Sequence, residues 1–138
     1  MPNQPVPKYS LTVRDETVTG TATNERELTF LTEVITVRDL IRERVFAEVR
    51  EYNAAPPGYF RGLVQPTDAE ATLNGYRVRE SKRQIDGEAQ AKKALAAFEA
   101  NGFLLLVDDK QVESPGEAVL LTGNTVVSFV KLVPLVGG

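Results

Sequence analysis

The sequence predicts an α+β domain, a mixed sheet with its helices against one face, and three observations carry that expectation. Residues 8–31 alternate apolar and polar side chains on either side of a turn. Residues 36–52 switch to apolar positions three and four apart. From Phe103 onward the chain returns to short apolar runs separated by turn residues. A helix that leaves a hairpin and crosses to later strands favours a sheet in which the closing strand lies beside the first.

In "KYSLTVRD", Tyr9, Leu11 and Val13 share one face, and Ser10, Thr12 and Arg14 the other, which is a half-buried strand. "ETVTGTATNER" is turn-rich around Gly20 and Asn24, and "ELTFL" sets Leu28 and Phe30 on one face to complete the hairpin. "TVRDLIRERVFAEVREYN" predicts the main helix, over about 36–52. Its apolar stripe is Val37, Leu40, Ile41, Val45 (or Phe46), Val49 and Tyr52, with Arg38, Arg42, Glu43, Glu48 and Glu51 largely outside. Thr36 and Asp39 have the spacing of a capping box, in which a hydroxyl accepts an orphaned N–H of the first turn.

The adjacent prolines Pro56 and Pro57 end that pattern. Residues 53–84 read as an inserted, mostly polar excursion with at most a short strand at "GYRVRE". A second helix follows over about 86–101: Asp86 caps it, Ala91, Ala94, Leu95 and Phe98 form its stripe, and Asn101-Gly102 stops it. "FLLLV" (103–107) is continuously apolar and predicts a strand covered on both faces. "DDKQ" turns tightly into Val112, "SPGEAVLL" crosses back, and "TGNT" turns into a closing strand from Val126 to Val133, with Leu132 read as core. Residues 1–138 read as one domain, of which 1–7 is a loose proline-bearing N-terminal tail.

At 138 residues the chain can bury a core of its own, and 42% hydrophobic with 25% charged residues is a globular composition. A net charge of -3 argues against broad nucleic-acid binding. No apolar run approaches the roughly 20 residues of a membrane span, and "MPNQPVPKYS" is unlike a leader, so a cytoplasmic protein is expected. There is no cysteine and no histidine. Their absence removes thiolate nucleophiles, disulfides, Cys/His zinc sites and Ser-His-Asp triads together. The expectation is therefore a non-enzyme with no metal or cofactor of its own. Asp108-Asp109 reads as turn chemistry in preference to a cation site, and "RVRESKR" (77–83) as a solvated face. Tyr59-Phe60 either pins the excursion to the sheet or forms an exposed anchor for a partner or a second copy.

The hairpin 8–31, the helix 36–52, the turn "VDDKQV" (107–112) and the segment "GEAVLLTGNTVVSFVKLVPLVGG" resemble, in this order, the ubiquitin-like β-grasp proteins. The ending Pro-x-x-Gly-Gly resembles the sulfur carriers of molybdopterin and thiamine synthesis. The chain departs from those carriers in its length and in the excursion 53–84, and from ubiquitin in a tail without arginines. Its size and N-terminal extension are similar to bacterial ubiquitin-like modifiers of operon-encoded conjugation systems. That resemblance implies activation and covalent attachment at Gly138, after Gly137, on a tether of residues 134–138. Pro134 would end sheet pairing, and Leu135 and Val136 would contact the activating enzyme. The implied partners are an adenylating enzyme that uses ATP, a conjugating-enzyme homologue and a metal-dependent isopeptidase, and the implied setting is antiphage defence. A sulfur carrier bearing a C-terminal thiocarboxylate is the alternative. A self-assembling interaction module with 53–84 as a docking arm is a third reading.

Overall fold

The alternating residues at the start of the chain form a hairpin, β1 (Tyr9–Thr17) paired antiparallel with β2 (Ala22–Phe30). The computed structural model describes residues 7–54, 58–67, 69–72, 75–78 and 84–132. After the hairpin come β3 (Val34–Thr36), α1 (Val37–Ala54), β4 (Ala69–Thr72), β5 (Gly75–Val78) and α2 (Gly87–Glu99). The chain continues through β6 (Phe103–Val107), β7 (Lys110–Val112), β8 (Ala118–Leu120) and β9 (Val126–Lys131).

Five strands make one mixed sheet in the order β2-β1-β9-β6-β7. The β1–β9 pair is parallel and the others are antiparallel, so the closing strand lies beside the first, as expected. β3–β8 and β4–β5 form two separate two-stranded ribbons, both antiparallel. The sequence shows neither β3 nor β4. Three residues are too few to display a period, and Ala69-Glu70-Ala71 are poor strand formers that pair only because β5 lies opposite.

The predicted α1 stripe is buried, with Val45 inside and Phe46 only half-buried. It packs on Leu11, Val13, Leu105, Val127 and Phe129 from one face of the sheet. Each such side chain contributes about 1.5–3 kcal/mol when withdrawn from water. Ala91, Ala94 and Phe98 of α2 complete the core. The β6 run differs from expectation: Phe103 and Leu105 are buried, but Leu104 and Leu106 are half-buried on the opposite face, away from the helices.

Local chemistry sets the boundaries. Thr36 N–H donates to Asp39 Oδ2 at 3.3 Å and Asp39 N–H to Thr36 Oγ1 at 3.1 Å, the reciprocal capping box. The Asp86 carboxylate accepts from the N–H groups of Glu88 and Ala89 at 3.0 and 3.3 Å. Asn101 takes φ 60° and Gly102 N–H closes α2 on the Ala97 carbonyl at 2.7 Å. Asp108 and Asp109 both have positive φ, which a two-residue hairpin turn requires. Asp108 Oδ1 also accepts Val126 N–H at 2.9 Å, so this carboxylate joins the turn to β9.

Candidate functional site

The site of interest is the end of β9, the last strand of the described residues. β9 occupies the middle of the sheet, and its ladder ends at Lys131, opposite Thr17 of β1 and Phe103 of β6. Leu132 lies outside the strand and is 42% exposed, which corrects its reading as core. The reason is parity: Val127, Phe129 and Lys131 face the helices, whereas Leu132 follows on the other side with no flanking strand paired beyond Lys131. Val133 lies outside the described residues, as do the predicted tail residues Pro134, Leu135, Val136, Gly137 and Gly138.

A buried ionic cluster sits at this end of β9. Arg44 of α1 is 2% exposed and its guanidinium lies 4.4 Å from the centre of the Phe129 ring. Its two Nη atoms pair with both oxygens of Asp15 on β1, and Nη2 also reaches Glu48 Oε2 at 3.1 Å. Lys131 Nζ stands 3.9 Å from Asp15 Oδ2 and 3.5 Å from the Gly62 carbonyl. The second Glu48 oxygen accepts Leu63 N–H at 3.2 Å. One cluster thus joins β1, α1, the end of β9 and the segment around Gly62.

Burial is the largest influence on Arg44 and works against its charge, but Glu48 and Asp15 together outweigh it and raise its pKa. At Lys131 burial wins and pulls the ammonium down, against the opposing attraction of Asp15. Glu48 was expected outside the helix stripe and is instead buried, because Arg44 one turn earlier supplies its counter-charge on that face. The signal was present: Ile41, Arg44, Glu48 and Tyr52 follow helical spacing, and Asp15 continues the inward parity of Leu11 and Val13.

The excursion is fastened beside this cluster. Phe60 is 2% exposed and packs edge-on to Tyr52 of α1, with ring centres 5.5 Å apart. Its N–H and carbonyl exchange hydrogen bonds with Tyr76 of β5 at 2.7 and 2.8 Å. Phe60 is therefore a buried pin and not an exposed anchor: its ring fastens the excursion to Tyr52 of α1, and its backbone ties the start of the excursion to β5 further along the same excursion. Its ring occupies the space a Cβ at Gly62 would need, 2.1 Å away. Tyr59 is half-buried and lines a cavity of about 480 Å3 between β2, the end of α1 and the excursion. Arg26 and Glu51 close one side of that cavity through a two-bond ion pair at 2.8 and 3.3 Å.

Gly75 has φ 121°, and a Cβ there would come within 2.8 Å of the Phe60 carbonyl. Gly75→Ala should cost about 1–3 kcal/mol of local strain. Hydrogen exchange checks this: the Phe60 and Tyr76 amides should lose protection while those of β1 and β9 keep theirs.

The chain matches no family model, curated protein or solved structure. Among the described residues no three Asp or Glu side chains gather to hold a metal ion, and no helix is long and apolar enough to cross a membrane.

Proposed function

We propose that the chain is a ubiquitin-like β-grasp modifier whose Gly138 carboxylate is activated by a partner enzyme and conjugated to a target amine. The observation that carries this reading is the closing strand: β9 runs parallel to β1 in mid-sheet and ends at Lys131, three residues ahead of the Pro134-Leu135-Val136-Gly137-Gly138 sequence. A hairpin, a helix crossing one face and a closing strand beside the first strand form the plan that the β-grasp resemblance implies.

The Gly138 carboxylate attacks the α-phosphate of ATP held by the adenylating partner, and pyrophosphate leaves. A partner thiolate then attacks the acyl carbon and AMP departs. A target amine displaces the thiolate, loses a proton and forms the isopeptide bond. Gly137 and Gly138 have no Cβ, so the backbone can pass a narrow channel and leave the acyl carbon open to attack. The chain supplies only the electrophile, which suits a sequence without cysteine or histidine.

The Pro-x-x-Gly-Gly ending favours a second reading, in which sulfide takes the acyl group and leaves a C-terminal thiocarboxylate. Mass mapping of the protein recovered from its own cells tests both. Conjugation predicts target lysines carrying a remnant that ends in Gly138, and sulfur carriage predicts an oxygen-to-sulfur exchange at Gly138. Recovery of the free acid alone, in cells where the partners are expressed, overturns both.

A further inference from the structure

We propose that the excursion is a detachable lid. Its described part, 58–67 with β4 and β5, undocks as one unit while the body of sheet and helices stays folded. Among the described residues, no backbone–backbone hydrogen bond joins this unit to any other element. Its own bonds point inward. β4 pairs with β5, Phe60 exchanges two bonds with Tyr76, and the Gln65 side chain donates to the Ala69 carbonyl at 2.6 Å.

Side chains of the body clasp four consecutive residues of the unit instead. Lys131 Nζ of β9 reaches the Gly62 carbonyl at 3.5 Å, and Glu48 of α1 accepts the Leu63 N–H at 3.2 Å. From α2, Gln90 Nε2 donates to the Val64 carbonyl at 2.6 Å and Lys93 Nζ to the Gln65 carbonyl at 3.1 Å. Such clasps break singly, whereas β1 and β9 are laddered on both edges, so the lid lies at the low end of the fold's local stabilities. Among its described residues only Phe60 and Leu63 belong to the fully buried apolar core, and α1, α2 and the sheet keep the rest. Opening bares Tyr52, Glu48 and Gln90, which are 6%, 7% and 3% exposed when the lid is closed, and it frees Lys131. The lid thus switches a surface of α1 and α2 beside the end of β9, whatever the chemistry at Gly138.

Hydrogen exchange of the full chain, read by amide NMR, tests this. An isolated two-stranded ribbon is marginal in water, so undocking should also melt the unit and open the Phe60, Leu63 and Tyr76 amides together. Those three amides should share one opening free energy, lower than that of the β1 and β9 amides. Lys93→Met removes one clasp, and Gln90→Met/Lys93→Met removes two. The three lid amides should exchange roughly fivefold faster in the single variant and about thirtyfold faster in the double variant. The β1 and β9 amides should keep their rates. Lys93 is exposed, so the single variant keeps its fold, which the β1 and β9 amides verify in the same spectra. Acceleration confined to one of the three lid amides, equal acceleration of β1 and β9, or unchanged exchange in both variants would overturn the proposal.

Discussion

Arg44→Met should destabilise the fold by about 3–5 kcal/mol, the usual consequence of removing one partner from a buried ion cluster. Asp15 and Glu48 are 5% and 7% exposed, so without the guanidinium two carboxylates remain out of water with little to balance them. Lys131, 3.9 Å from Asp15 and partly solvated, compensates only the Asp15 side. Methionine fills much of the space beneath Phe129, so the loss reports charge more than cavity. A urea titration measures it as a lower midpoint at unchanged slope. The companion variant Asp15→Val/Arg44→Met/Glu48→Leu should recover most of the loss, because apolar groups can replace a buried ionic cluster at little net cost. The Leu63 N–H loses its acceptor in that triple variant, leaving a residual deficit of about 1 kcal/mol. If the single and triple variants fall equally, the cluster holds the fold by shape and not by paired charge.

The periodic elements were legible in the sequence. The β1–β2 alternation, the α1 stripe with its capping box, the Asp86 cap and the turn at Asp108-Asp109 are local physics, and the structure contains each of them. The placement of β9 beside β1 followed from the crossover connection of α1. Long-range pairing was less visible. β4 depends on its partner β5, and β3 is too short to show alternation before α1 begins. Charge misled where it was buried: Glu48 looked like surface by residue type, although Arg44 stands one helical turn before it, and only the approach of Asp15 from β1 depends on the fold. Leu132 looked like core because hydrophobicity alone does not reveal where a ladder loses its neighbours. In the excursion the sequence left Tyr59-Phe60 as either a pin to the sheet or an exposed anchor, and could not say that Tyr52 and Tyr76 receive Phe60.

Deleting Gly137 and Gly138 should abolish activation outright while leaving the fold intact. The last laddered residue is Lys131, and the core ends with Phe129 beneath it, so the deletion removes no described contact. What it removes is the unhindered carboxylate, and the Val136 carboxylate left behind is β-branched and set back from the catalytic phosphate. The decisive measurement is ATP–pyrophosphate exchange by a cognate adenylating enzyme, with wild type and the deletion variant compared at matched concentration and matched thermal midpoint. Exchange supported by wild type and reduced to background by the deletion is the predicted result. Exchange at the wild-type rate without Gly137 and Gly138 would contradict activation at the di-glycine.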